Sequence, residues 1–282
     1  MNLEFVTAGG LRLAVWERPG VGRPLLFAHA TGFHGRMWDH IIREFPGRRA
    51  LALEFRGHGR SAKPSPPIPW SRFAEDILAV AEHYELSGAV GVAHSMGGNI
   101  ALRYTGVFPE TVHRLVAIEG LGPSPDMEAE LAKKTIADRM QGWVGAQRKL
   151  SARMPKRYAN LEDAYARMRE ENAHLSAEQA LHLTRHGVRQ NEDGTYSWKF
   201  DNYIRAWPPY DMTRDDIRLL WGRIVCPTLL IYGSESWASN PAADGRAAHF
   251  TQARVEVLQG AGHWVHHDRL EEFLGIVQPF LI

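Results

Sequence analysis

Short, almost wholly apolar runs recur along this chain, and longer segments with helical apolar spacing lie between them. Residues 24–28, 49–53, 89–92, 115–118, 227–232 and 255–258 read as strands. Runs this short, with little polar alternation, fit strands covered on both faces. Residues 3–6 and 11–16 flank Ala8-Gly9-Gly10 and predict an N-terminal hairpin. Residues 70–83 predict a helix with Phe73, Ile77, Val80 and Tyr84 on one face. Further helices are expected from 97 to about 108 and over 270–282, the last ending near Pro279. Alternation of this kind predicts an α/β architecture, a mostly parallel sheet with helices on both faces.

The stretch 123–215 differs. It lacks apolar runs of the strand type and is rich in charge. Residues 128–140 and 160–174 are each amphipathic, and Ser176-Ala177-Glu178-Gln179 reads as a capping box opening another helix. The expected organisation is a core of 1–122 and 216–282 with a helical cap of 123–215 laid over the C-terminal edge of the sheet. Ser65-Pro66-Pro67-Ile68-Pro69 is a stiff loop.

Composition removes several alternatives. The chain has 282 residues, 44% of them hydrophobic, which suffices for one large core with an inserted subdomain. A net charge of +1, with arginines dispersed, implies no large electrostatic field for nucleic acid. No run of about 18 apolar residues predicts a membrane span. No basic stretch followed by an apolar segment opens the chain, so a cytoplasmic protein is expected. Cys226, the single cysteine, permits no internal disulfide and reads as a packing residue.

The chemistry centres on Ala93-His94-Ser95-Met96-Gly97-Gly98, directly after the run 89–92. A serine between a buried strand and a small-residue helix start must occupy a tight, strained turn that exposes its hydroxyl. That is the nucleophile elbow, G-x-S-x-G, with Ala93 in the first glycine place. A serine hydroxyl needs a base, and the base needs an orienting acid. His263, in Gly260-Ala261-Gly262-His263-Trp264 after the last strand, is the candidate base. Two carboxylates compete as the acid. Glu119 follows the strand 115–118, and Glu235 lies past Tyr232-Gly233-Ser234; placement puts Glu119 first. The oxyanion hole needs two backbone N–H groups. Met96 supplies one, and the loop His29-Ala30-Thr31-Gly32-Phe33 the other, with Thr31 first and Phe33 second. His29 itself reads as a loop brace. No H-E-x-x-H or clustered Cys/His spacing suggests a metal, and no cofactor is expected.

Four segments together carry a family resemblance: His29–Phe33, Phe55-Arg56-Gly57-His58-Gly59-Arg60-Ser61, His94-Ser95-Met96-Gly97-Gly98, and Gly260-Ala261-Gly262-His263. By them the chain resembles the α/β-hydrolase fold superfamily over nearly its whole length. Members usually read His-Gly where His29-Ala30 stands, and Asp where Glu54 stands, a position taken here as structural. Many members carry the acid three residues after the glycine matching Gly233, a place held here by Ser236, which favours Glu119. The segment Glu119-Gly120-Leu121-Gly122-Pro123-Ser124-Pro125 is similar to the turn that often bears the acid in haloalkane dehalogenases. Those enzymes and the epoxide hydrolases use an aspartate nucleophile, so Ser95 argues against alkyl-enzyme chemistry.

The resemblance implies a serine hydrolase acting on small, fairly apolar carboxylic esters through an acyl-enzyme, with a Ser95–His263–Glu119 triad. C–C bond hydrolysis, a thioesterase or lactonase reaction on the same triad, or a silent ligand-binding member of the fold are the alternatives. The cap brings Trp143, Trp198, Phe200, Tyr203, Trp207 and Tyr210, read more as packing than as pocket; Trp237 and Trp264 border the expected entrance. The oligomeric state is not legible.

Overall fold

Along each central strand, successive side chains enter different hydrophobic layers, and this sets the architecture. In β3 (Val21–Ala28), Leu25 and Phe27 join one layer and Ala28 the other. β4 (Arg48–Glu54), β5 (Ala89–His94), β6 (Val112–Ile118) and β9 (Thr228–Gly233) repeat the pattern: Val116 and Ile118 point one way, Leu115 and Ala117 the other. With both faces of each strand dry, the apolar runs need no polar alternation. The computed structural model describes residues 1–206, 208–209 and 212–281.

The sheet has eight strands in the order β1-β2-β4-β3-β5-β6-β9-β10, where β1 is Asn2–Ala8, β2 Leu11–Arg18 and β10 Ala253–Leu258. β1 and β2 form the expected hairpin, and β2 is antiparallel to β4; the other pairs are parallel. α2 (Trp70–His83), α3 (Met96–Val107) and α8 (Arg214–Gly222) cover one face with Phe73, Ile77, Ile100 and Trp221. α1 (Asp39–Arg43), α9 (Val265–Asp268) and α10 (Leu270–Leu281) cover the other, burying Ile41, Val265, Phe273 and Val277. From β3 the chain runs first outward to β4, then back past β3 to β5. The strand order therefore reverses between β3 and β5, and a crevice opens there at the strands' C-terminal ends.

Between β6 and α8 lie α4 (Pro125–Ala132), α5 (Ile136–Ser151), α6 (Leu161–Glu171) and α7 (Ala177–Gly187). The Ser176–Gln179 capping box forms with both of its hydrogen bonds. Three expectations change. The helix over 128–140 is broken, because Thr135 and Asp138 form a capping box of their own that starts α5 afresh. The insert also holds a small hairpin, β7 (Val188–Gln190) and β8 (Tyr196–Trp198). Three-residue strands are too short to show a period in sequence. Finally, α10 continues through Pro279 to Leu281. Arg114 and Arg48 donate to the carbonyls of Phe280 and Leu281, satisfying the end of the helix. No helix among the described residues is long and apolar enough to cross a membrane.

Candidate active site

Ser95 is the single residue between β5 and α3, and its backbone lies at φ 54°, ψ −116°. A non-glycine residue there is strained by about 1–3 kcal/mol. The Ser95 N–H donates to the Ile118 carbonyl at 2.8 Å, so the turn stays tied to β6. Two glycines let α3 start this close. A Cβ on Gly97 would lie 2.6 Å from the carbonyl oxygens of Ala28 and His29, and one on Gly98 would lie 2.8 Å from the Gly120 Cα. Ala93 replaces the first glycine of the elbow pattern beside Ala28 and Ala117, its cross-strand partners. Small neighbours on both sides accept the extra methyl.

Glu119 directly follows β6 and also has positive φ, 49°. Besides Ser95, only Glu85 shares this among the described non-glycine residues. The Glu119 N–H donates to Ile231 O at 2.9 Å, repeating on β9 the tie that Ser95 makes to β6. Its carboxylate is fully buried and accepts three hydrogen bonds. Oε1 takes the Gly233 N–H at 2.9 Å; Oε2 takes the Ser236 hydroxyl at 2.6 Å and meets His263 Nδ1. Glu235 is exposed, and its side chain makes no hydrogen bond among the described residues. Its backbone N–H donates to Ala261 O. Of the two competing carboxylates, the fold brings Glu119 to the imidazole.

With Nδ1–H donating to Glu119, His263 Nε2 carries a lone pair, and it lies 3.0 Å from Ser95 Oγ. The loop bearing His263 is set from behind. Gly233 packs where a Cβ would be 2.3 Å from Ala261 O. His94 Nε2–H donates to the His263 carbonyl at 2.8 Å. The exposed Trp237 indole lies 5.0 Å from the imidazole, and Trp264 hydrogen-bonds Asn172. Sequence reasoning did not find the parts played by Ser236, His94 and Gly233, since each acts across the sheet on a residue more than 100 positions away.

Met96 opens α3, so its N–H has no partner within the helix. In the neighbouring loop the Phe33 N–H is spent on Ala30 O at 3.2 Å, whereas the Thr31 N–H has no acceptor among the described residues. The His29 ring braces this loop: Nδ1–H donates to Ala30 O, and Nε2 accepts the Phe55 N–H at 3.0 Å. Glu54 is buried and accepts from Trp16, Gly35 and Arg60, a structural arrangement as expected. Cys226 is buried and packed as read.

Histidines crowd behind the base. His94, His266 and His267 are buried, and burial pushes His94 and His266 well below the ordinary imidazole value and His267 to about 3. They stay neutral near pH 7 and serve as aromatic packing; His266 stacks on Trp38 at 4.8 Å. Asp39, His182 and His186 bring their ligand atoms within 4.8 Å of one another and could hold a metal. This group joins α1 to α7, and Arg36 already grips the Asp39 carboxylate through both oxygens. A cavity of about 350 Å³ lies between Gly32–Phe33 and the cap. Trp198 and Phe200 line it, whereas Trp143 is hydrogen-bonded to Ala206 O. Trp207 and Tyr210 lie outside the described residues.

Comparisons with known proteins bear on the fold and the family. The model of the alpha/beta hydrolase fold family matches residues 23–270. The sn-1-specific diacylglycerol lipase ABHD11 of Danio rerio is 24% identical over 298 residues, covering 99% of this chain and 85% of its own. A thioesterase domain from the curacin biosynthetic pathway has a similar structure, with TM-score 0.83, 22% identity and 99% of each chain covered. An esterase of Mycobacterium tuberculosis superposes with TM-score 0.78 at 21% identity, covering 99% of this chain and 91% of its own. With a family match that spans most of its length and a site built at the strand ends, the chain belongs to the alpha/beta hydrolase fold family.

Proposed function

We propose that the protein is a serine hydrolase that cleaves small carboxylic esters through an acyl-enzyme. One observation carries the reading: the unbroken series Ser95 Oγ, His263 Nε2, His263 Nδ1, Glu119 Oε2, each link within hydrogen-bond reach. His263 takes the Ser95 proton as Oγ attacks the ester carbonyl. The N–H groups of Met96 and Thr31 receive the oxyanion, each contributing about 3 kcal/mol to its stabilisation. His263 then protonates the departing alcohol. Water enters, gives a proton to His263 and attacks the acyl carbon, and Ser95 leaves with that proton. Glu119 holds the imidazole in the required tautomer and offsets its transient charge.

The division into a core of 1–122 and 216–282 and a cap of 123–215 belongs to the same proposal, with the cap selecting substrate. The test is twofold. A fluorophosphonate probe should add its mass to Ser95 and to no other residue. A panel of p-nitrophenyl esters should be turned over, best at short acyl length. An unlabelled Ser95 would point instead to a silent binding protein, and a strong preference for long acyl chains would contradict the small-ester reading.

A further inference from the structure

The cavity that meets the oxyanion loop at Gly32 and Phe33 is cationic, which an apolar ester would not call for. Its wall includes Arg153, Lys156, Arg167 and Arg205 against a single carboxylate, Glu171. Glu171 and Glu170 are already paired with Arg167. Arg153, Lys156 and Arg205 have no ion-pair partner among the described residues. Lone surface cations are usually just solvated, but these three converge on one concavity.

Arg205 is the best placed of them. Its Nη2 comes within 3.5 Å of where a Cβ on Gly32 would lie, next to Thr31. Its guanidinium carbon sits 5.5 Å from the Phe200 ring centroid. The backbone that carries it is pinned on both sides. Ile204 is buried in the core, the Asp201 N–H donates to Gly57 O at 2.7 Å, and Trp143 Nε1 donates to Ala206 O at 3.1 Å. Arg205 is exposed, with its backbone pinned and its guanidinium beside the Phe200 ring, and its planar fork matches two carboxylate oxygens.

We propose that the substrate carries a carboxylate and that Arg205 reads it, which makes the favoured ester a half-ester of a short dicarboxylic acid. Arg153 and Lys156 add attraction for the same charge. The volume lies at the small end of the range for ligand sites, which suits a short acid. The proposal rests on the serine-hydrolase reading and replaces its apolar acyl group with an anionic one.

Two measurements test it. The first compares mono-p-nitrophenyl glutarate with p-nitrophenyl valerate, its uncharged match in length. The expected kcat/KM ratio is tenfold or more in favour of the glutarate ester. Arg205→Ala should collapse that ratio at least tenfold, chiefly through KM, and Arg205→Lys should restore part of it. A ratio near one, or a ratio unmoved by Arg205→Ala at unchanged melting temperature, overturns the proposal. The second measurement needs no turnover. Calorimetric titration should show glutarate binding at millimolar concentration or tighter, with neutral glutaramide and Arg205→Ala each weaker by tenfold or more. Glutarate binding no better than glutaramide overturns the proposal, as does inorganic phosphate binding more tightly than glutarate. If neither ester is cleaved, the hydrolase reading fails by itself and the titration still decides this one.

Discussion

The Ser236 hydroxyl donates to Glu119 Oε2 at 2.6 Å, and that same oxygen meets His263 Nδ1. The His263 imidazole is therefore served from the ends of two neighbouring strands, β6 and β9. Glu119 supplies the charge from β6. Ser236, past the end of β9, stands where many members of the family carry their acid.

Replacing the acid separates the two carboxylates. Glu119→Gln leaves the shape but loses the charge and the tautomer control, so kcat should fall by about 10³–10⁴. Glu235→Gln removes an exposed carboxylate and should change kcat by less than about twofold. Steady-state kinetics on p-nitrophenyl acetate reads both. A crippled Glu235→Gln beside an active Glu119→Gln would reverse the assignment.

Moving the acid should rescue the enzyme. In Glu119→Gln/Ser236→Asp, a carboxylate grows from the position whose Oγ already lies beside the oxygen that His263 uses. The double variant should recover at least roughly tenfold of the kcat lost in Glu119→Gln. No recovery, in a protein that melts like Glu119→Gln, would show that the β9 end cannot orient the imidazole.

Gly97→Ala should damage activity more than stability. The added Cβ would press on the Ala28 and His29 carbonyls, 2.6 Å away, and push the start of α3 off the loop bearing Thr31. Overpacking of this kind costs about 1–3 kcal/mol. The shift of one oxyanion donor should lower kcat by about 10²-fold. Thermal melting and single-turnover kinetics on the same preparation separate the two effects.

Acid should unfold the protein early. Burial lowers His29 and His186 to about 4 and His34 and His267 to about 3, and holds His58, His94 and His266 well below the ordinary value. Their folded values lie below the unfolded one, so between about pH 6.5 and 3 the unfolded chain binds more protons. Stability from these groups is present above pH 6.5 and is lost as pH falls through that window. Melting temperature should drop by roughly 10 °C or more from pH 7.5 to 5. His266→Phe keeps an aromatic ring against Trp38 without a titrating nitrogen, and its melting temperature should fall less over the same range.

How much of this was legible depends on how local each signal is. The central strands, the hairpin and α2 could be read because buried runs and helical faces are properties of adjacent residues. Ser95 and His263 were legible through their small-residue surroundings, and Glu119 through its place just after β6. The break before α5 was missed because the apolar spacing runs on across Thr135, whose cap depends on two side-chain bonds. The cationic cavity was not legible at all. Its walls come from residues as far apart as Gly32 and Arg205, and no spacing rule links them.

The neutral histidines behind the base bear on more than acid tolerance. In the proposed mechanism His263 takes up the Ser95 proton, and its nearest aromatic neighbour is His94, with ring centroids 4.7 Å apart. Burial pushes the His94 imidazole well below its usual basicity, and its Nε2–H is already given to the His263 carbonyl rather than to the ring. In the proposed cycle, packing in the core thus disfavours an inward path for the proton that His263 must return to a departing oxygen.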